Sequence, residues 1–211
     1  MMYSTLSPPD RFENPHIITR PLCTKDTNSL FEDFLSDRHT TWHLPIPTHL
    51  APAQSELYIR WCNAGWQAHL LYVFGLEDRK SGRLVGIFEL RPALPRVEIG
   101  LITTKHKDIK RRLARAISTA CLQICDWLIS HPDVHRIYAC CDATNIEAIR
   151  LARHLGLKFE ATLANWEMRP NQKKAAAAIE VYTLIRPFTH FAPHLRTKLL
   201  GTALTTLPDK R

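Results

Sequence analysis

Eleven residues, Lys105 to Arg115 (KHKDIKRRLAR), set six cations against the single acid Asp108. They open a stretch whose apolar residues recur at helical spacing. The free amides of a helix N-terminus already carry partial positive charge, so cations gathered there call for an anion. Phosphate is the group that such a cluster would hold, through charge-assisted hydrogen bonds. The whole chain of 211 residues is basic, with formal charge +8 and pI near 9.4. Such a balance attracts phosphates, nucleic acid or anionic membrane, and it is equally consistent with a merely well-solvated surface. The six cysteines (23, 62, 121, 125, 140, 141) follow no zinc spacing and read as buried thiols of a reducing compartment, with no metal site.

The elements that must position this cluster follow from periodicity. Residues 1–16 read as an N-terminal arm. Ile17–Leu22 is a short strand, and Thr27 or Asn28 caps a helix burying Leu30, Phe31 and Leu35. The proline-rich stretch 39–53 is a loop, and SELYIRWCNAGWQ a second helix. Runs at 68–76, 84–90 and 96–104 form a strand meander with a turn at EDRKSG. From 108 to 130, Ile109, Leu113, Ile117, Ala120, Ile124 and Leu128 lie on one helical face. HRIYACCDA is a strand, and TNIEAIRLARHLG a helix closed by Gly156. Residues 157–170 form a strand with a turn, a polar and alanine-rich connection follows, and 179–187 is the last strand. One domain over 17–187 and a tail from 188 to 211 are expected. No apolar run is long enough to span a bilayer and no leader is evident, so a cytoplasmic protein without membrane contact is expected.

Four pieces resemble the GCN5-related N-acetyltransferases (GNAT), specifically the branch acting on ribosomal-protein N-termini: SGRLVGIFEL, the EIG of 98–100, NIEAIRLARHLGLKFEATL and YTLIRP. In the third piece the family's Asn, small residue and Gly correspond to Asn145, Ala148 and Gly156, with Leu157 where Phe is usual. The resemblance implies an α+β (α/β) fold with a central mixed, twisted sheet flanked by helices. Two parallel strands, 96–104 and 135–141, splay apart to admit acetyl-CoA as co-substrate. Its pyrophosphate would lie over the long helix, against Lys107, Ile109, Lys110, Arg111, Arg112 and Leu113, with Asn145 directed to the pantetheine arm. The sequence departs from the family here. No glycine occurs from 101 to 155, and Ile109 and Arg111, or on a shifted register Arg111 and Leu113, occupy the places of phosphate-loop glycines.

The resemblance further implies transfer of an acetyl group to a primary amine, either a protein N-terminus or a small molecule. Glu98, sharing a strand face with Gly100, would accept the amine proton, and an ion pair with Arg91 or Arg96 is the other reading of it. Ile102 would offer its amide to the thioester oxygen. The family's acid positions hold Ala152 and Ala148, which leaves Tyr182 as candidate general acid or simply a strand tyrosine. Asp142 and Glu160 would attract a cationic amine, and His43, Trp42, Trp61 and Trp66 would roof its pocket. A catalytically silent, CoA-binding or structural protein of the same fold remains open, as does a homodimer. The absence of zinc-finger, RNA-binding-strand or helix-turn-helix signatures speaks against a nucleic-acid module.

Overall fold

A computed structural model describes residues 5–104 and 106–186. Its strands are β1 (Phe12–Glu13), β2 (Ile17–Pro21), β3 (Tyr72–Asp78), β4 (Leu84–Ala93), β5 (Arg96–Thr103), β6 (Arg136–Asp142), β7 (Lys158–Arg169) and β8 (Lys174–Ile185). They form one sheet in the order β1-β2-β3-β4-β5-β6-β8-β7. Every pairing is antiparallel except β5 with β6. That exception follows from chain length: the crossover holds the helix α4 (Lys107–Ser130), long enough to return the chain to a parallel neighbour.

The helix α4 contains neither Gly nor Pro and buries Leu113, Ala116, Ile117, Ala120, Cys121, Ile124, Cys125 and Leu128, the stripe read from the sequence. His131–Pro132 ends it, since a residue before proline avoids the helical region. With α5 (Ile146–His154) it covers one face of the sheet, over Tyr72, Phe74, Val97, Ile99 and Ile137. The other face carries α1 (Thr27–Leu30), α2 (Arg38–Thr41) and α3 (Pro52–Gln67), with Leu30, Phe34, Ile59 and Cys62 packed on Val73, Ile87 and Ile102.

Several local expectations are corrected. The first helix gives way at once to a π-helical turn over Phe31–Leu35, which rotates Phe34 rather than Phe31 into the core. The strand expected from 68 begins at Tyr72, because α3 runs to Gln67 and a turn with His69 at φ 58° follows it. The alanine-rich connection is the first half of β8: backbone pairing with β7 outweighs the low strand preference of alanine. The arm is docked from residue 5 onward. Leu6 is fully buried, the Tyr72 hydroxyl donates to its carbonyl, and the Phe12 ring meets Phe74 and Trp127 edge-on. The tail from 188 lies outside the described residues. No helix among the described residues is long and apolar enough to cross a membrane.

Ile124 sits on α4 with no exposed surface. Ile124→Ala should cost about 2–5 kcal/mol, read as a lowered urea midpoint at unchanged slope.

Candidate active site

The parallel pair β5 and β6 is in register only over Arg96–Arg136, Val97–Ile137 and Glu98–Tyr138. Beyond Glu98, β5 stays with β4 as far as Thr103, while β6 stays with β8 as far as Asp142. The two halves of the sheet therefore part at the level of Gly100, which is the splay expected.

Ladder phase decides which amides face that gap. Thr104 N donates to Val85 O at 3.2 Å, and its register continues into Gly86–Thr103 and Ile87–Ile102. Antiparallel pairs alternate between bonded and non-bonded, so Ile87–Ile102 is of the bonded kind. The Ile102 amide is thus directed at β4, away from the gap. On the β6 side, His135 N donates to Pro95 O at 2.9 Å, which places odd-numbered β5 groups toward β6. The first amide past the splay that points into it belongs to Leu101. The amide directed into the gap is that of Leu101 and not of Ile102, a shift of one residue that a strand's two-residue period makes decisive.

A cavity of about 170 Å³ opens from the gap. Its walls are β5 from Glu98 to Ile102, β6 from Ala139 to Asp142, and the α5 side with Asn145, Ala148 and Ala152. Asn145 Oδ1 caps α5 by accepting from Ala148 N at 3.1 Å, and the residue also lines the cavity. Cys140 lines it as well, and burial, reinforced by the charge of Glu98, pushes its thiol up to about 12. Burial thus disfavours the thiolate, which is the nucleophilic form.

Glu98 stands on the cavity wall. Its Oε1 lies 3.7 Å from Arg91 and its Oε2 accepts from the Tyr138 hydroxyl at 3.5 Å. Burial raises its pKa; Arg91 opposes the rise, and Glu167 and Glu89 add to it. The ion pair with Arg91 is loose, and a carboxylate poised upward suits a proton acceptor. Beside it lies a group that the sequence reading missed. Glu89 is directly opposite Gly100, is 7% exposed, and accepts from Tyr58 at 2.6 Å and Arg91 at 2.5 Å. Burial and Glu89 hold the Tyr58 hydroxyl well above its usual pKa. The cross-strand spacing of Glu89 and Arg91 against Glu98 and Gly100 was present in the sequence, but only the register brings them to one face.

The far wall is a buried ion pair. Arg169, 1% exposed, donates through Nε to Asp142 at 2.9 Å and through Nη1 to Glu167 at 2.6 Å. Burial would raise the Asp142 pKa, but bonds from Thr144 and Arg169 and the nearby His43 hold it far below the carboxylate range. The roof is the strand-free segment with His43, Leu44, Pro45 and Ile46, together with Tyr58 and Trp61 of α3. Of the other expected roof residues, Trp42 points outward with 42% exposure, and Trp66 is packed edge-on against Tyr72 and Phe74. Glu160 is away from the cavity, paired with Arg136.

The basic helix start is organised differently from a phosphate loop. The helix begins at Lys107, and Lys110 N already donates to His106 O at 2.9 Å. Ile109, Arg111, Arg112 and Leu113 are helical residues, so from Lys110 onward their amides are engaged within α4 and form no nest. Leu113 faces the core at 3% exposure, and Ile109 is half-buried against it. Arg112 pairs with Asp78 at 2.8 Å and Lys110 with Glu147 at 2.7 Å; His106 bonds Asp33 at 2.7 Å, which also holds Arg83 at 2.8 Å. Burial raises Asp33 and Asp78, yet these donors outweigh it and leave both below the usual range. Much of the charge that seemed to require a ligand is answered by the protein's own carboxylates. Lys107 and Arg111 stay exposed, without an ion-pair partner among the described residues.

Tyr182 is not brought to the cavity. It is fully buried, donates to Glu180 at 2.6 Å, and receives Arg153 at 3.2 Å. Both polar partners lie outside the cavity lining. Its place on β8, directly opposite Ala139, turns it to the α5 side of the sheet.

This sheet, splay and cavity define the GNAT acetyltransferase class. The family model described as an acetyltransferase (GNAT) domain matches residues 16–158, and the chain belongs to that family. Among solved structures, the chain is similar to a GCN5-related N-acetyltransferase from Brucella melitensis, at TM-score 0.70 and 19% identity, over 88% of this chain and 84% of that one. It is similar to ribosomal-protein-S5-alanine acetyltransferase from Vibrio fischeri, at 0.66 and 17%, over 84% and 97%. RimL, a ribosomal L7/L12 alpha-N-protein acetyltransferase solved in complex with coenzyme A, gives 0.68 and 12%, over 82% and 95%. At these identities the likeness is one of fold. No curated protein sequence matches the chain.

A carboxyl with a depressed folded pKa stabilises above its unfolded value and loses that contribution as pH falls toward the folded one. Asp142→Asn takes from the buried Arg169 the carboxylate at its Nε and leaves it Glu167 alone, and should cost about 3 kcal/mol at pH 7. The gap to wild type should narrow by about 1 kcal/mol between pH 5 and pH 3, measured by urea unfolding. A gap independent of pH would show that the charge of Asp142 is not what holds Arg169.

Proposed function

We propose that the protein transfers an acetyl group from acetyl-CoA to a primary amine that enters as a cation. The observation that carries this reading is the splay of β5 from β6, with the Leu101 amide directed into it and Glu98 on the same cavity wall. Acetyl-CoA would lie with its pantetheine arm in the gap and its thioester oxygen toward the Leu101 amide. The ammonium nitrogen would surrender one proton to Glu98 and, now neutral, bond to the acetyl carbon. As the C–S bond breaks, the adduct nitrogen sheds its second proton, which reaches the departing CoA sulfur directly or through water. The carboxylates Glu98 and Glu167 favour a cationic acceptor, and the closeness of a small cavity favours one with a slender approach to its nitrogen. A protein N-terminus and a small amine both meet that description.

Residues around the gap fit acetyl-CoA better at its thioester end than at its phosphates. On this reading the pyrophosphate would meet three helix amides, Lys107, Asp108 and Ile109, together with the side chains of Lys107, Lys110 and Arg111. Arg112 would contribute field rather than contact, because Asp78 holds it. Leu113 would contribute only packing. The silent reading keeps one specific support: the helix runs through the positions where a glycine loop would cradle phosphate. Acetyl-CoA binding without turnover of any amine would establish it.

Glu98→Gln should bind acetyl-CoA as wild type does by calorimetry, yet lose about 10²–10⁴-fold in turnover of an amine that the wild type accepts. The loss should shrink at high pH, where more amine is neutral before it binds. Identical pH–rate profiles would remove Glu98 as the base.

A further inference from the structure

One buried amide side chain ties the roof of the cavity to its far wall. Asn171 lies on the 3₁₀ turn Pro170–Gln172, two residues beyond Arg169, and is 9% exposed. Its Oδ1 accepts from the Thr48 amide at 2.9 Å and the Thr48 hydroxyl at 3.0 Å. Its Nδ2 donates to the carbonyls of Thr41 at 2.6 Å and Ile46 at 2.9 Å. Two acceptor contacts with donors and two donor contacts with carbonyls leave a single sensible orientation of the amide. The Thr41 and Thr48 hydroxyls, 2.7 Å apart, close the same ring, and Gln172 adds a bond to the Trp42 carbonyl at 2.9 Å.

The consequence is geometric. Residues 41 and 48 are the two stems of a strap, and both converge on one side chain, 130 and 123 residues away in sequence. Between the stems, His43, Leu44, Pro45 and Ile46 line the cavity, and the segment has no sheet or helix to hold it. The turn carrying Asn171 is fixed in its own right by Arg169, whose partner Asp142 ends β6, one arm of the splay. The strap is therefore registered against the splay through Asn171, Arg169 and Asp142 in series.

We propose that Asn171 is a positioning residue for acetyl transfer, holding the strap 42–47 as a preformed wall of the acceptor pocket. It touches neither substrate; it fixes residues that touch the acceptor. This role rests on the acetyltransferase reading above. A preformed wall spares the acceptor the entropy of ordering it, so loss of the latch weakens acceptor binding while leaving the thioester end intact.

The test uses the full chain with acetyl-CoA and a panel of amines and N-terminal peptides. Asn171→Ala should speed hydrogen exchange across 42–48 more than tenfold and raise KM for the amine about tenfold, with kcat and acetyl-CoA affinity within about threefold of wild type. Asn171→Asp keeps an acceptor for Thr48 but sets a carboxylate oxygen against the Thr41 and Ile46 carbonyls, so it should free the strap at least as much as Asn171→Ala. Asn171→Ser, which keeps one short donor and acceptor, should fall between wild type and Asn171→Ala, and it serves should the alanine variant not fold. Unchanged exchange at 42–48 overturns the latch. Unchanged amine KM, or kcat and acetyl-CoA affinity falling along with it, overturns the positioning role. A wild type that binds acetyl-CoA and acetylates nothing in the panel overturns the acetyltransferase reading, and this role with it, whatever the exchange shows.

Discussion

A strand has two edges, and the site exists because β5 and β6 each give their long edge to a different neighbour. Eight pairs bind β5 to β4 and seven bind β6 to β8, against three between β5 and β6. Right-handed twist accumulates along both strong ladders, so the weak parallel seam opens where its last pair ends. Opening a sheet leaves amides and carbonyls without the strand partner that a continued ladder would give them. A ligand with polar atoms along a narrow arm is what such a seam accommodates. Helix α4, crossing between the two strands, necessarily begins at the open end and brings its N-terminus there.

Carboxylates are distributed so that the two ends of this gap differ. Around the helix start, Asp33, Asp78 and Glu147 face arginine, lysine and histidine in direct pairs, and their pKa values fall. Inside the cavity, Glu89 and Asp142 are neutralised by Arg91 and Arg169, while Glu98 has only a distant cation and two carboxylate neighbours. Among these carboxyls, charge is paired closely at the helix start and at Glu89 and Asp142, and least closely at Glu98. That contrast, more than the presence of an acid on a strand, distinguishes Glu98 from the carboxylates around it.

Legibility in the sequence followed the range of the interaction. The helical stripe from Ile109 to Leu128, the strand meander and the Gly156 closure depend on near neighbours, and periodicity showed them. The parallel pair was readable from the length of the crossover. The family pieces placed Glu98 and Asn145 at the cavity. What escaped depended on register or on distant partners. Ile102 was one residue away from the amide that faces the gap. Tyr182 is buried on the α5 side of the sheet, bonded to Glu180 and Arg153, neither of which lines the cavity. Glu89 and Tyr58 meet across 31 residues, and Asn171 reaches 123 residues back to Thr48. No local pattern marks an asparagine in PNQ as the tie of a segment so far upstream.

The glycine-free helix start has its own physical logic. Lys, Arg, Ile and Leu favour helix over the open loop that glycine permits, so α4 extends through Ile109, Arg111 and Leu113 instead of beginning after them. Fixed loop amides are thereby exchanged for three helix amides and for flexible cations on an exposed first turn. On the proposed function, phosphate recognition shifts from preorganised backbone toward screened side-chain charge, which is weaker per contact and more sensitive to salt. On the same reading the thioester end loses nothing by this exchange, because Leu101 and Glu98 are set by the backbone pairing of β5 with β4, and the strap is bonded to Asn171. If the proposed function holds, positioning is concentrated at the reacting end of the gap, and attraction of the co-substrate's phosphates is left to a field.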